Sequence, residues 1–311
     1  MNYTAYPHHG KRKEGFLIVI LGPTGVGKTE LCLGVAEHFH IPIINADSRQ
    51  IFREIPIGTA APTIEQQARV KHFFVGTHGI CDYYSASSYE QDALTEINRQ
   101  LTDKRLALLT GGSMMYIDAV CNGIDDIPTI RDDIRAEMKR RYAEEGLEPL
   151  VEELRQIDPE HYETVDKKNP RRVIHALEIC RQTGKTYTSF RKNEKKERPF
   201  NIIKIGLNRP REELYDRINR RVNQMIADGL MDEARRMLPF RNENALNTVG
   251  FKEIFNFFDG VWQLDEAIER IKGNTRRYCR KQLTWFKRDE DIRWFLPNNV
   301  EEIINYIESM V

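Results

Sequence analysis

No stretch of the chain approaches the roughly 18 consecutive apolar residues of a membrane-spanning helix, so no membrane partner is expected. Met1 to Glu14 is polar and basic and has no apolar h-region; it reads as a short frayed tail rather than a signal peptide or an anchor. The five cysteines, Cys32, Cys81, Cys121, Cys180 and Cys279, are odd in number and form no CxxC pair. That argues against a structural zinc site. Free, mostly buried thiols in a reduced, cytoplasmic compartment are expected instead. The formal net charge is zero, so no global field advertises a nucleic-acid partner, and any such surface must be a local patch. No internal repeat and no low-complexity segment is present.

What is present is the composition of a globular protein. The chain has 311 residues, 40% hydrophobic and 30% charged, enough for a sizeable core in one large or two medium domains. Its first third alternates strand and helix. Phe16 to Leu21 reads as a buried strand, followed by a glycine-rich turn and a helix over Lys28 to Phe39. Further strands are expected at Ile41 to Asn45, Lys71 to Val75 and Leu106 to Thr110. Between them, Thr63 to Gln66 has the capping-box form before a helix to Val70, and a second helix runs from Ser88 to Leu101. This alternation implies a parallel sheet covered on both faces.

The character changes near Ile127-Pro128. From Asp132 to Arg191 only helices are expected: Gly146 stops one, Pro159 breaks another, Asn169-Pro170 starts a third and Gly184 ends it. Arg191 to Arg198 (RKNEKKER) reads as a solvated linker. Asn201 to Leu207 returns to strand character, and the rest is mainly helical with one late strand at Ile292 to Phe295. The expected fold is therefore α/β: a P-loop parallel-sheet core over 15–127, an inserted helical domain over 128–198, and a return to the core with a helical C-terminal part over 199–311.

The strongest chemical signal is Gly22-Pro23-Thr24-Gly25-Val26-Gly27-Lys28-Thr29, the GxxxxGK pattern followed by a hydroxyl residue. It follows a strand and opens a helix, the context the motif requires. Glycines let backbone N–H groups converge on phosphate oxygens, and the helix N-terminus adds positive potential. Lys28 supplies a full charge, and the Thr29 hydroxyl can ligate Mg²⁺. Such a loop alone makes an NTPase or a kinase the default. The rest of a GTPase is missing, however, with neither an NKxD base reader nor a DxxG switch. The Leu106 to Thr110 strand ends in Gly-Gly-Ser rather than a Walker-B carboxylate. Only Asp47 closes an early strand with an acid, where it could hold Mg²⁺ or act as a base on an acceptor. Taken alone, these residues leave a small-molecule kinase open.

Five further segments follow in a fixed order: Asp47-Ser48-Arg49-Gln50, Ile57-Gly58-Thr59-Ala60, Gly111-Gly112-Ser113-Met114-Met115-Tyr116, Val249-Gly250-Phe251-Lys252-Glu253, and Thr275-Arg276 through Lys281-Gln282-Leu283-Thr284-Trp285. Together with the P-loop, this set resembles the bacterial tRNA dimethylallyltransferase family (tRNA isopentenyltransferases), from about Phe16 to Trp285. The resemblance implies that the P-loop holds the diphosphate of dimethylallyl diphosphate rather than a nucleotide. It implies attack on the allylic carbon by the exocyclic amine of the adenine 3′-adjacent to the anticodon. It makes Asp47 the base, with Lys28, Thr29-bound Mg²⁺ and Arg276 stabilising the leaving group. Ser113 stands where the family usually has threonine and keeps the hydroxyl.

The resemblance places contacts with the tRNA anticodon stem-loop at Asp47, Ser48, Arg49, Gln50, Ser113 and Arg135. It adds Arg171, Arg172, Val173, Ile174 and His175, and Asn247, Thr248, Val249, Gly250, Phe251 and Lys252. Glutamine is common in the family where Arg171 stands, and arginine where His175 stands. The Asp265 to Arg288 helix carries the best local basic patch. A monomer is expected. The rivals are an adenylate dimethylallyltransferase acting on free AMP, ADP or ATP, a small-molecule kinase, and a non-enzymatic RNA-binding module.

Overall fold

The computed structural model describes residues 13–192 and 194–311. The expected N-terminal tail thus lies almost wholly outside the described residues. The chain divides into two compact units, one built from residues up to Cys121 together with Arg198–Val311, the other from Asn122–Glu197.

The first unit is built on six strands: β1 (Phe16–Leu21), β2 (Ile43–Ala46), β3 (His72–Phe73), β4 (Leu106–Gly111), β5 (Asn201–Leu207) and β6 (Arg293–Phe295). They form one sheet in the order β3-β2-β4-β1-β5-β6, and every recorded pairing is parallel. Parallel strands need crossovers, and the helices that supply them cover both faces. Helices α1 (Lys28–Phe39), α2 (Pro56–Thr59), α3 (Ile64–Arg69), α4 (Ala86–Lys104) and α5 (Met114–Asn122) follow in the first part of the chain. The period of two in β1 splits the core. Ile18 and Ile20 point to the face covered by α1, while Leu17, Val19 and Leu21 point to the face covered by α4 and α5.

The second unit holds α6 (Asp132–Glu145), α7 (Glu148–Ile157), α8 (Pro159–Thr164) and α9 (Pro170–Thr183) around Met138, Leu150, Leu154, Val173 and Leu177. Pro159 does not merely break a helix. It occupies the first turn of α8, with Asp158 capping the His161 amide at 3.1 Å. The C-terminal part of the first unit contributes α10 (Arg211–Ala227), α11 (Leu230–Met237), α12 (Phe251–Phe258), α13 (Leu264–Phe286) and α14 (Val300–Glu308). Helices α10 to α13 pack with Ile51, Phe52 and Ile55 into a separate apolar cluster.

Several boundaries differ from the sequence expectation, each for a local reason. β2 begins at Ile43, because His40 turns left-handed at φ 52° and Pro42 has no N–H to pair. β3 is two residues long, cut off by Phe74 at φ 62° and Gly76 at φ 60°. The start of α4 is set by Ser85, which accepts from the Ser88 amide, not by Ser88. Helix α5 is apolar nearly all round and leaves no period to read. Two residues of the RKNEKKER stretch are tied rather than free: the Lys192 amide donates to Asp125 at 3.1 Å, and the Arg198 side chain is buried against Glu90 at 2.6 Å.

Close approach at the carboxyl end of the sheet needs a glycine. A Cβ on Gly111 would stand 2.1 Å from the Ala46 carbonyl oxygen. That contact draws the ends of β2 and β4 together, and they run directly into Asp47 and Ser113.

Candidate active site

The P-loop leaves β1 at Gly22 and enters α1 at Lys28. Gly25 and Gly27 take φ 80° and φ 106°, the left-handed region that glycine tolerates. No side chain caps α1, so its first amides remain available at the mouth of a cavity of about 580 Å³. Thr24, Gly25, Gly27, Lys28 and Thr29 line that cavity. Gly22, Pro23 and Val26 shape the loop from behind, and Val26 is fully buried.

Lys28 folds back on the loop, donating from Nζ to the carbonyls of Gly22 at 2.8 Å and Pro23 at 2.9 Å. Burial pushes its amine down from 10.5 to about 8; the nearby Arg221 cation adds to the fall, and Asp47 partly opposes it. The unfolded chain therefore carries the extra proton between about 8 and 10.5, and this group's contribution to folding stability rises with pH across that window. An anion in the cavity favours the charged amine. In divalent-free buffer, inorganic pyrophosphate is expected to bind more weakly as pH rises through about 8. Titration calorimetry on wild type and Lys28→Met checks this, since the variant should bind more weakly and lose the bend near that pH. An identical pH profile in both would refute it.

Three arginines of α10, Arg217, Arg220 and Arg221, line the same cavity with Arg209. Arg209 and Arg217 also brace the loop, donating from Nε to the Val26 carbonyl at 2.7 Å and the Gly25 carbonyl at 2.9 Å. Their Nη2 atoms converge on Gly27, each 3.5 Å from where a Cβ would stand. Gln282 ties the loop to the end of β4. Its Oε1 accepts from the Thr24 amide at 2.9 Å, and its Nε2 donates to the Gly112 carbonyl at 2.7 Å.

A second cavity, of about 440 Å³, adjoins the first. Thr24, Asp47, Thr59, Arg221 and Tyr278 line both, so Asp47 and Arg221 stand on a shared wall. Asp47 Oδ1 accepts from the amides of Arg49 at 2.9 Å and Gln50 at 3.3 Å, which orients the carboxylate and shapes the turn after β2. Ser113 Oγ accepts from the Ser48 amide at 2.8 Å and donates to the Ser48 hydroxyl at 3.0 Å. The Ser113 hydroxyl therefore joins the two strand ends whatever else it contacts.

The structure brings many of the sequence-selected residues together. Ser48, Arg49 and Ser113 meet Asn247, Thr248, Val249, Gly250 and Lys252 around the second cavity. Gln50 faces the first. Glu253 holds the Asn247–Gly250 loop, accepting from the Gly250 amide at 2.8 Å and from Asn274 Nδ2 at 2.7 Å. Phe251 and Val173 are fully buried, so their side chains belong to the core and any contact with RNA would fall to the backbone. Ile174 is half-buried against the core of the helical unit. On that unit Arg171 and Arg172 are exposed, Arg135 is half-exposed, and His175 Nδ1 lies 3.5 Å from Glu178. Tyr116 is core as well, stacked on Tyr89 with ring centroids 4.0 Å apart.

Arg276 is not at either cavity. Its guanidinium donates to Asn219 Oδ1 at 2.5 Å on the flank of α10. Its neighbours in the α13 basic patch are also engaged within the chain, Arg277 with Asn274 and Arg280 with the Tyr215 hydroxyl. The cavity cations come from α10 instead. Arg217, Arg220 and Arg221 are spaced i, i+3, i+4 on one helix face, a signal visible in the sequence. The direction of that face is not visible there.

Among the described residues no group of three His, Cys, Asp or Glu side chains could hold a metal by itself. The donor set beside the loop, one hydroxyl (Thr29) with a carboxylate (Asp47) on the wall of the same cavity, suits an ion that keeps water and substrate oxygens as most of its ligands. Mg²⁺ is such an ion. No helix among the described residues is long and apolar enough to cross a membrane.

Residues 50–289 match the model of the IPP transferase family. The chain is 61% identical over 291 residues to tRNA dimethylallyltransferase 1 of Bacteroides thetaiotaomicron, covering 94% of each chain. It is 46% identical to tRNA dimethylallyltransferase of Christiangramia forsetii, over 96% of this chain and 99% of that one. Among solved structures, the tRNA isopentenylpyrophosphate transferase of Bacillus halodurans superposes with a TM-score of 0.69 at 34% identity, over 96% of both chains. A eukaryotic dimethylallyltransferase acting on tRNA shares the fold, with a TM-score of 0.75 at 21% identity over 95% of this chain and 77% of that one.

Proposed function

The chain belongs to the IPP transferase family of tRNA dimethylallyltransferases, and from that premise we propose how its two cavities divide the reaction. It is an enzyme that transfers a dimethylallyl group from dimethylallyl diphosphate to tRNA. The acceptor is the exocyclic amine of the adenine 3′-adjacent to the anticodon. One observation carries the assignment: Asp47 and Arg221 stand on the wall common to a phosphate cradle and a second cavity lined by the Asn247–Gly250 loop.

Helix α10 suits an amphiphilic donor. Arg217 and Arg221 are four residues apart and face the first cavity, while Ile218, Val222 and Met225 form the adjacent row and face the second. The diphosphate is held by the loop amides, Lys28 and the arginines, with the five-carbon tail directed along the aliphatic row. The adenine enters the second cavity, extruded from the anticodon loop as base-modifying enzymes require. Ser48, Arg49, Asn247, Thr248 and Lys252 contact the tRNA there, and exposed Arg171 and Arg172 offer it further phosphate contacts.

The amine nitrogen forms a bond to the allylic carbon, and the carbon–oxygen bond breaks with its electron pair leaving on diphosphate. Lys28 and Arg221 stabilise that developing charge. Asp47 takes the proton that the amine sheds. Mg²⁺, when bound through Thr29, supplies further charge neutralisation on the diphosphate. Both cavities are complete within one chain, which supports action as a monomer. The five free thiols suit the cytoplasm.

Single-turnover transfer from radiolabelled dimethylallyl diphosphate with Mg²⁺ tests the proposal, with an anticodon stem-loop and AMP as alternative acceptors. Label is expected in the stem-loop alone. Label in AMP alone would transfer the assignment to free adenylates, and label in neither would overturn it.

A further inference from the structure

Glu233 lies on α11, is fully buried and lines neither cavity. Both of its oxygens serve one short segment. Oε2 accepts from the Ile57 amide at 2.9 Å and Oε1 from the Gly58 amide at 2.7 Å. These are the opening amides of α2, a single turn of four residues too short to sustain itself. The approach is close enough to require the glycine: a Cβ on Gly58 would stand 2.6 Å from the Phe251 ring and 3.1 Å from Glu233 Oε1. This accounts for the glycine of the Ile57–Ala60 motif, which the transfer chemistry leaves unexplained.

The other end of α2 faces the cleft. The Thr59 and Ala60 carbonyls accept from Gln50 Nε2 at 3.1 Å and 3.0 Å, and Thr59 also accepts from Arg221 Nη2 at 3.4 Å. The carbonyl end of a helical turn carries partial negative charge, which suits a guanidinium. A carboxylate anchoring one end of the turn therefore sets where its carbonyls stand, and with them Gln50 and Arg221. The Gln50 backbone N–H in turn donates to Asp47 Oδ1.

We propose that Glu233 is a positioning residue for the transfer: through the Pro56–Thr59 turn it fixes the Arg221 guanidinium on the wall where the donor meets the acceptor. This rests on the reading of the two cavities given above. Burial raises the Glu233 acid from its ordinary value, while the two amides it accepts from oppose that shift. Glutamine in its place keeps one acceptor and turns an NH₂ group toward a backbone N–H, so the turn must move.

The test is a double-mutant cycle on single-turnover transfer to the stem-loop, using Glu233→Gln, Arg221→Ala and the pair. Glu233→Gln is expected to slow wild type about tenfold or more, but to slow the Arg221→Ala enzyme less than about threefold, because the group it positions is already gone. Stem-loop affinity is expected to stay within about threefold of wild type, as the RNA-facing loop is held by Glu253 instead. Equal losses in both backgrounds would show that Glu233 acts only through general stability and would overturn the proposal, as would an unchanged rate in the single variant. Should Glu233→Gln not fold, Glu233→Asp keeps the charge and shortens the reach by one methylene. The same loss and the same non-additivity are expected of it, and a wild-type rate overturns the proposal. Failure of the transfer reading is distinguishable, because the wild-type chain would then label no RNA.

Discussion

Replacing Asp47 by asparagine is expected to slow single-turnover transfer about 10²- to 10⁴-fold, the range of a lost general base, with stem-loop affinity and folding retained. Asparagine keeps an oxygen where Asp47 Oδ1 accepts from the Arg49 and Gln50 amides, so the turn after β2 survives. What it cannot do is take a proton from an adenine amine as the new bond forms. Alanine differs, because it removes the proton acceptor and the turn acceptor together. Asp47→Ala is therefore expected to lose the same rate and, in addition, some stem-loop affinity, since Ser48 and Arg49 line the acceptor cavity. Rapid-quench transfer and filter binding on both variants separate the two roles. An asparagine variant as fast as wild type would remove Asp47 from the chemistry and leave it a turn residue.

Arg221→Ala is expected to lower kcat/KM for dimethylallyl diphosphate about 10²- to 10³-fold, the cost of losing one preorganised donor to developing negative charge. Arg221→Lys should fall between, since an ammonium restores charge but not the planar fork that reaches the substrate and the Thr59 carbonyl together. The empty enzyme should melt no lower than wild type. Burial and the like charge of Arg217 both act against the Arg221 cation, and Asp47 with the long Thr59 carbonyl contact offsets them only in part. A half-buried cation held among other cations is a cost carried for function, and its removal relieves the apo protein. Thermal melting beside steady-state kinetics decides the matter. A lower melting temperature with unchanged kcat/KM would make Arg221 a structural residue.

The sequence and the structure agree most closely where the signal is local. The Phe16–Leu21 strand, the glycine turn and the Lys28–Phe39 helix are read residue for residue, because hydrophobic run, glycine and helical period all lie within about two dozen positions. The Thr63 capping box is equally local, and it forms with the Gln66 amide 3.2 Å from the Thr63 hydroxyl. Agreement fades where an element depends on its partners. β3 pairs only through Ile43 and Ile44, and its end is set by backbone turns at Phe74 and Gly76 that its composition does not announce.

At the site the division is sharper. The sequence by itself determined the phosphate cradle, the acid that closes β2 and the order of motifs that marks the family, since each is a pattern of neighbours along the chain. Only the tertiary structure decided which cations face the cradle. Arg276 and Gln282 lie six residues apart on α13, and at about 100° per residue that leaves them roughly 120° apart around the helix axis. Packing turned Gln282 inward to bridge the P-loop and Gly112, and left Arg276 against Asn219. Helix α10 was turned so that Arg217 and Arg221 face the cavity, and Phe251 was folded into the core while Lys252 beside it was left at the cleft. Spacing on a helix says which residues share a face. Which face meets the cleft is set by burying the opposite one against the rest of the fold, and that information lies in contacts between residues far apart in the chain.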